Sequence, residues 1–235
     1  MNLSTDNESY LRDLRAWLAS QEETPLEEMS DFFTARLDGY EEHMAAWRED
    51  YRRFAQCLPD RCREVLDLGC GTGLELDELL ARRPDLAVTG IDLCPAMLER
   101  LAVKHPSVAV RCADYFEADL GRARWDAVIS FESLHHFAPE RKAGLYRRIR
   151  EALRPGGVFM LCDYMACCDE EEALLRDTCR RKRLREGLPD DRFVHFDTPL
   201  TVPHETALLL GAGFARCESA DGMRDAVLLL ATVPA

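Results

Sequence analysis

The sequence of 235 residues lacks the features that would place it in a membrane, on nucleic acid or outside the cell. Hydrophobic residues make up 47% of it, but no run approaches the roughly 20 apolar residues that a membrane span needs. Acidic residues outnumber basic ones, and the formal net charge of −13 disfavours broad binding to nucleic acid. The start, MNLSTDNESYLRDL, has no basic segment followed by an apolar one. Because a secretion signal needs both, we expect a cytoplasmic protein without a membrane partner.

The sequence also lacks any C-x-x-C pair, although it contains ten cysteines. That spacing is typical of structural zinc sites, so we expect no structural zinc. Cys70, Cys94, Cys112 and Cys162 lie in or beside expected core elements, where a reduced cysteine behaves as a small hydrophobe. We therefore expect free thiols. The neighbouring Cys167 and Cys168 could form a redox site or bind a thiophilic metal, but such a pair is more often two reduced thiols at the start of a helix.

The most informative feature present is a short apolar strand that runs into a glycine-rich turn. Residues 65–74 read VLDLGCGTGL, and the apolar positions suit a buried parallel strand. Gly69, Gly71 and Gly73 carry no Cβ atoms, so a ligand can approach the backbone closely. The amphipathic segment that follows predicts a helix whose free N–H groups face the turn.

An acidic residue at the end of the next strand strengthens the prediction of a nucleoside site. The predicted strand 87–91 is followed by Asp92, 19 residues after Gly73. In dinucleotide-binding folds a carboxylate about 20 residues beyond the glycines binds ribose hydroxyls. A glycine turn and a carboxylate at neighbouring strand ends therefore predict a shared ligand.

From residue 63 onward, predicted strands and helices alternate, which predicts an α/β fold with a doubly wound parallel sheet. Ligands of such sheets bind at the carboxyl ends of the strands. We divide the chain into an N-terminal helical extension or lid, 1–59, and the α/β domain, 60–235. The expected strands are 64–68, 87–91, 108–112, 125–131, 158–164, 214–219 and 225–233. The expected helices of the domain are 73–83, 95–104, 139–153, 169–187 and 203–211.

With these elements placed, the chain resembles the class I S-adenosylmethionine-dependent methyltransferases. The resemblance covers about residues 60–235 and rests on VLDLGCGTG, VTGIDLCPAML, CADYF, WDAVISFESLHHF and LRPGGVFMLCDY in that order. It implies a Rossmann-like, mostly parallel sheet of seven strands with the last one antiparallel. It also implies S-adenosyl-L-methionine as the cofactor and methyl transfer as the reaction.

The resemblance further implies which residues bind the cofactor. The three glycines would approach its methionine and ribose parts, and Asp67 would hold its ammonium end. Asp92 would accept both ribose hydroxyls, because a carboxylate offers two acceptor oxygens. Asp114 would accept the adenine amino group. The other implied contacts, around the adenine and beneath the sulfonium, are Leu93, Met97, Ala113, Tyr115, Ser130 and Phe131.

A narrower resemblance is to a group of small bacterial methyltransferases. Its motifs DFF-x-x-R-x-x-GY-x-x-HM, FESLHHF and HFDTPLT occur here at 31–44, 131–137 and 195–201. Some members resemble wobble-uridine carboxymethyl transferases, whose cofactor is a carboxylated S-adenosylmethionine. The carboxylate-binding arginine of those enzymes has no matching position in this chain, which argues against that activity.

Four residues near predicted strand ends are candidates for acid–base chemistry. Methyl transfer from a sulfonium depends mainly on alignment and exclusion of water, so a base matters only if the acceptor must lose a proton. The candidates are His136, His135, Glu132 and Asp163, with the histidines preferred because imidazole titrates near neutral pH. The histidines could instead begin a helix, one packed and one exposed. Since neighbouring histidines seldom reach one ion, we expect no metal site.

Five other residues are candidates for binding the acceptor. Tyr164 follows the fifth strand, and His195 with Asp197 lies in a loop above the same sheet edge, where loops often carry binding groups. Tyr40 and His43 lie on the N-terminal helix that could close the site. Each could instead be a structural residue, and packing is slightly favoured for Tyr40 because it begins an aromatic stripe.

The sequence favours one function and leaves three others open. A methyltransferase that acts on a small molecule fits best. A tRNA wobble-uridine-type RNA methyltransferase is disfavoured by the acidic balance and the absence of a basic RNA-binding module. A nucleotide-dependent dehydrogenase is disfavoured by the G-x-G-x-G spacing. A non-catalytic protein that senses S-adenosylmethionine is disfavoured because the cofactor motifs are intact.

Overall fold

A seven-stranded sheet forms the centre of the described chain. The computed structural model describes residues 3–223 and 226–234, and the strand order is β3-β2-β1-β4-β5-β7-β6. The strands are β1 (Glu64–Leu68), β2 (Ala87–Asp92), β3 (Ala109–Cys112), β4 (Trp125–Phe131), β5 (Leu153–Asp163), β6 (Arg216–Ala220) and β7 (Val227–Thr232). Only β7 pairs antiparallel, with β5 and β6. The predicted doubly wound, mostly parallel sheet is confirmed; position 225 of the last predicted strand lies outside the described residues.

Helices cover both faces of the sheet and precede it. Within the described residues they are α1 (Leu3–Ser20), α2 (Met29–His43), α3 (Arg48–Cys57), α4 (Leu74–Arg82), α5 (Pro95–Lys104), α6 (Pro139–Ala152), α7 (Asp169–Glu186) and α8 (Val202–Gly211), with a 3-10 turn at Met44–Trp47. None of them is both long enough and apolar enough to span a bilayer.

The strand order sets the position of the site. β1 pairs with β2 on one side and with β4 on the other, so the connections after β1 and β4 run in opposite directions. A sheet that reverses order in this way opens a crevice at the carboxyl ends of its two central strands. The buried sequences that drive this pairing are the apolar runs of β1 and β4, whose Leu66, Leu68, Val128 and Ile129 are fully buried.

The N-terminal helices differ in what they contribute. In α3, Phe54 is fully buried, and its ring contacts that of Phe131 at the end of β4 with centroids 5.4 Å apart. Helix α3 therefore belongs to the core of the α/β domain. Helix α2 lies over the carboxyl edge of the sheet, where the Met29 amide donates to the Phe193 carbonyl at 3.1 Å. The domain boundary between residues 59 and 60 stays a prediction.

A buried ion pair ties α6 to α8 and so holds the loop that precedes α8. Lys142 and Glu205 are each 1% exposed, and the Lys142 ammonium donates to the Glu205 carboxylate. The Tyr146 hydroxyl donates to the other oxygen of the same carboxylate. Because charges in a dry interior must be paired, each partner depends on the other.

We expect Glu205→Gln to destabilise the protein by about 3–5 kcal/mol, since it leaves the Lys142 ammonium buried without a counter-charge. The double variant Lys142→Met, Glu205→Gln should recover most of that loss, because it removes the buried charge and keeps an acceptor for Tyr146. Urea unfolding followed by circular dichroism measures both. A single variant that loses less than about 1 kcal/mol would show that water reaches the ammonium.

Candidate active site

The glycine turn after β1 forms one wall of the crevice. Gly71 has a φ of +48°, and the nearest atom to an added Cβ would be the Tyr40 hydroxyl at 3.9 Å, so the backbone is open to a ligand here. Gly73 differs: a Cβ there would lie 2.4 Å from Leu101 Cδ1. Gly73 therefore allows helix α4 to pack on α5, and it does not line the cavity; its implied contact with the cofactor stays a prediction.

Asp92 joins the glycine turn to the end of β2. Its Oδ2 accepts a hydrogen bond from the Gly71 amide at 2.9 Å, and its Oδ1 accepts one from the Cys94 amide at 2.8 Å. Burial raises the pKa of Asp92, and these amide hydrogen bonds oppose that rise. Each oxygen keeps a second lone pair, which is what two ribose hydroxyls require.

A cavity with about 700 Å³ of empty space, counted to its open mouth, occupies the crevice. Nine of the twelve predicted cofactor residues line it: Gly69, Gly71, Asp92, Leu93, Met97, Ala113, Asp114, Tyr115 and Phe131. Residues that the sequence reasoning missed also line it: Met29, Ser30, Phe33, Cys94, Phe116, Ser133, Phe137 and Phe193. Met29 and Phe33 lie one turn apart on α2, so their helical spacing could have indicated a shared face.

Asp67 and Ser130 lie behind the cavity wall. Ser130 is fully buried, and its hydroxyl donates to the Leu68 carbonyl at 3.0 Å, which fastens β4 to β1. Its implied place beneath a sulfonium stays a prediction, since the residue does not line the cavity. Asp67 is also fully buried, directly under the glycine turn.

Buried polar atoms under the glycine turn fit the amino-acid end of the implied cofactor. Both carboxyl oxygens of Asp67 and one Glu75 oxygen are buried and receive no hydrogen bond from an N–H group of the described residues, and the two carboxyl groups lie close enough to share a proton. Burial raises the pKa of both carboxyl groups, and the charge of Glu75 raises that of Asp67 further. Buried acceptors in this state need a donor, and an ammonium group supplies three.

A histidine–aspartate pair lies at the ends of β4 and β5. His135 Nδ1 is 2.5 Å from Asp163 Oδ1, and the amides of Leu134 and Tyr164 donate to the Asp163 carboxylate at 3.0 and 3.1 Å. Burial disfavours a charged ring, but Asp163 and Asp197 outweigh it and raise the pKa of His135. Neither His135 nor Asp163 lines the cavity, so both lie behind its wall.

Glu132 and His136 are the acid–base candidates that do line the cavity. Glu132 has a φ of +49°, an uncommon backbone conformation for a residue other than glycine. Burial raises the pKa of Glu132. Burial also lowers the pKa of His136, and the neighbouring His135 lowers it further.

The acceptor-binding candidates divide into two groups. Tyr40 lines the cavity, whereas Tyr164, His195 and Asp197 line a separate outer depression. The Tyr164 hydroxyl contacts Glu171. His195 stacks on Phe32 of α2, and its burial lowers its pKa to about 3.

Asp197 lines the outer depression and also contacts both histidines that follow β4. It lies 3.1 Å from His136 and 3.5 Å from His135, each measured between one ring nitrogen and Asp197 Oδ1. His43 contacts Trp47 with ring centroids 6.1 Å apart and lines neither space, so the structure does not bring it to the site.

The fold and this site define a domain that binds a nucleoside-bearing cofactor at the carboxyl edge of a doubly wound sheet. A methyltransferase-domain family profile matches residues 65–157. The carboxy-S-adenosyl-L-methionine synthase of Campylobacter curvus is 28% identical over 177 residues, which cover 70% of this chain and 74% of that protein. The malonyl-[acyl-carrier protein] O-methyltransferase of Acetivibrio thermocellus is 32% identical over 129 residues, covering 54% and 44%.

Solved structures share the fold. Human N-acetylserotonin methyltransferase in complex with S-adenosylmethionine superposes with a TM-score of 0.60 at 21% identity, covering 82% of this chain and 55% of that one. The chain thus spans about half the length of several proteins that it matches. With these matches added to the site, the chain carries an S-adenosylmethionine-dependent methyltransferase domain similar to those of class I, and S-adenosyl-L-methionine is its cofactor.

We expect Asp92→Ala to weaken binding of S-adenosylhomocysteine by about 100-fold or more, since it removes two charge-assisted hydrogen bonds and releases the Gly71 amide. His136→Ala, a change in the same cavity, should alter the affinity less than about threefold while it lowers the rate of methyl transfer. Calorimetry measures both affinities. Equal losses of affinity in the two variants would contradict this division between binding and chemistry.

Cofactor binding should release protons near pH 6.5, because a bound ammonium group stabilises the charged forms of Asp67 and Glu75 and so lowers their raised pKa values. Calorimetry in buffers with different ionisation enthalpies gives the number of protons released. Glu75→Gln should reduce it, whereas Glu78→Gln, on the same helix, should not. Unchanged proton release in Glu75→Gln would place the ammonium group elsewhere.

Proposed function

We propose that the protein transfers the methyl group of S-adenosylmethionine to a small-molecule acceptor. The supporting observation is that the cavity has a roof made by α2 and the loop at 193–201. A cavity covered on this side suits a small molecule better than a folded RNA. The net charge of −13 is also unfavourable for RNA.

The roof is held by backbone bonds and by ring stacking. The His195 amide donates to the Glu27 carbonyl at 3.0 Å, next to the bond from Met29 to Phe193. The His195 ring lies 3.4 Å from that of Phe32 at an interplanar angle of 7°. Arg36 covers the same Phe32 ring, with its guanidinium carbon 3.7 Å from the centroid. A roof of this kind excludes water from the reacting groups.

The cavity wall favours an ordinary cofactor over a carboxylated one. Among the described residues that line it there is no arginine or lysine, whereas Glu132 and Asp114 are present. A carboxylate next to the sulfonium would therefore find no cationic partner among these side chains. The proposed function therefore differs from synthesis of carboxy-S-adenosyl-L-methionine, the function named for the Campylobacter curvus relative.

The chain's own contribution is to orient the two substrates and accept a proton. The cofactor, when bound, supplies a methyl group already activated on a sulfonium. Asp92 and the glycine turn would fix its ribose, and Asp67 with Glu75 its ammonium group. Glu132 and His136 line the cavity with lone pairs that can accept a proton from the acceptor, which is required only for an acceptor that must lose one.

The proposal is tested with tritium-labelled S-adenosylmethionine, labelled on the methyl group, and a bacterial small-molecule extract. We expect label to enter a small organic molecule, and Asp92→Ala to abolish the transfer. A parallel reaction contains total tRNA instead of the extract. Label in tRNA would establish the RNA function, and binding without transfer to either would establish a non-catalytic protein.

A further inference from the structure

We propose that His135, His136 and Asp197 bind a divalent transition-metal ion of the zinc type beside the cofactor cavity. Their donor atoms lie within 4.8 Å of one another. Two imidazoles and one carboxylate are a ligand set that Zn²⁺ and its first-row neighbours accept, with further coordination positions left open.

The two distances from the Asp197 oxygen to the histidine nitrogens fit one ion. Asp197 Oδ1 lies 3.5 Å from His135 Nε2 and 3.1 Å from His136 Nδ1. Ligands bound at about 2.0–2.2 Å in tetrahedral geometry are about 3.3–3.6 Å apart. Neighbouring histidines can share an ion here because one ring presents Nε2 and the other Nδ1, which the sequence-based expectation of no metal did not consider.

Asp163 prepares His135 as a ligand. It lies 2.5 Å from Nδ1 of that ring, on the side away from Asp197. A carboxylate that takes the Nδ1 proton leaves the Nε2 lone pair for a metal and fixes the orientation of the ring. The Asp163 carboxylate is itself fixed by two backbone amides. The pair therefore has the arrangement of the carboxylate–histidine–metal triads in metalloproteins.

The loop that carries Asp197 is fastened to His135. The amide of Thr198 donates to the His135 carbonyl at 2.8 Å, and the Thr198 hydroxyl donates to the same oxygen at 3.2 Å. The carboxylate and the two rings are thus held together before any ion binds. Preorganised ligands lose little entropy on binding.

His136 provides an independent indication. Its side chain is 5% exposed, and its buried Nδ1 lies 3.1 Å from Asp197 Oδ1 in a direction that does not make a good hydrogen bond. An imidazolium of His135 shared by Asp163 and Asp197 would explain the position of His135 but leave His136 with this poorly directed contact alone. A metal ion satisfies both rings. Asp197, 44% exposed, provides the access from solvent.

The location suggests a role in acceptor binding, which rests on the proposed function. His136 lines the cofactor cavity, and Asp197 lines the outer depression, so an ion between them could hold an acceptor through an oxygen ligand. Glu132 would then be the group in the cavity wall that remains able to accept a proton.

The test is calorimetric titration of Zn²⁺ into chelator-treated full-length protein carrying Cys167→Ser and Cys168→Ser, which removes the exposed thiol pair. We expect one equivalent bound. His136→Ala should abolish zinc binding. Asp163→Asn should weaken zinc binding about 10- to 100-fold, because the His135 ring loses the carboxylate that orients it. His204→Ala, an exposed histidine that also pairs with a carboxylate at Glu172, is the matched control and should bind normally.

Cobalt substitution gives a second readout, because the visible spectrum of Co²⁺ reports nitrogen and oxygen ligands without thiolate bands. No stoichiometric binding, or binding that survives His136→Ala, would overturn the metal site. Since Asp163→Asn could unfold the protein, its melting temperature is measured alongside. Zinc binding without methyl transfer would refute the proposed function alone, and methyl transfer by a protein that binds no zinc would refute the metal site alone.

Discussion

The Asp92 carboxylate is the constraint on which the rest of the site depends. It accepts amide hydrogen bonds from Gly71 in the turn after β1 and from Cys94 at the start of α5. The turn that a cofactor must approach is thereby fixed relative to the side chain that we propose binds its ribose. Without this link the glycine turn would keep its conformational freedom. Cofactor binding would then have to overcome the entropy cost of ordering the turn.

Around this centre, three sequence segments that are far apart in the chain meet at one edge of the sheet. The segment 31–44 supplies α2, 131–137 supplies Glu132 and the two histidines, and 195–201 supplies His195 and Asp197. Their contacts connect the roof to the acid–base groups, since His195 lies between Phe32 and His136. A shift of α2 would therefore reach the histidines directly.

The sequence predicted the fold well because its signals are local. Strand β1 matches its predicted range, 64–68, since an apolar run that ends in glycines leaves little choice of boundary. Strand β5 begins five residues earlier than expected, at Leu153, because Leu153 pairs with Trp125 across an irregular register that no local pattern encodes.

The site was predicted less completely because side-chain direction depends on distant partners. Asp92 was found by its spacing. Glu75 was missed because a charged residue in the first turn of a helix is expected to face solvent. In the structure, packing turns its carboxyl group toward Asp67. The hydrogen bond from the Ser130 hydroxyl to the Leu68 carbonyl was not predicted, because strand alternation indicates a face of the sheet and not a hydrogen-bond partner.

The central claim is that S-adenosylmethionine lies across the ends of β1 and β2 with its ribose on Asp92. A crystal structure of the complex with S-adenosylhomocysteine measures this directly. The account predicts both ribose hydroxyls within hydrogen-bond distance of the two Asp92 oxygens, and the amino group beside Asp67. A nucleoside bound elsewhere, or ribose hydroxyls with no contact to Asp92, would contradict it.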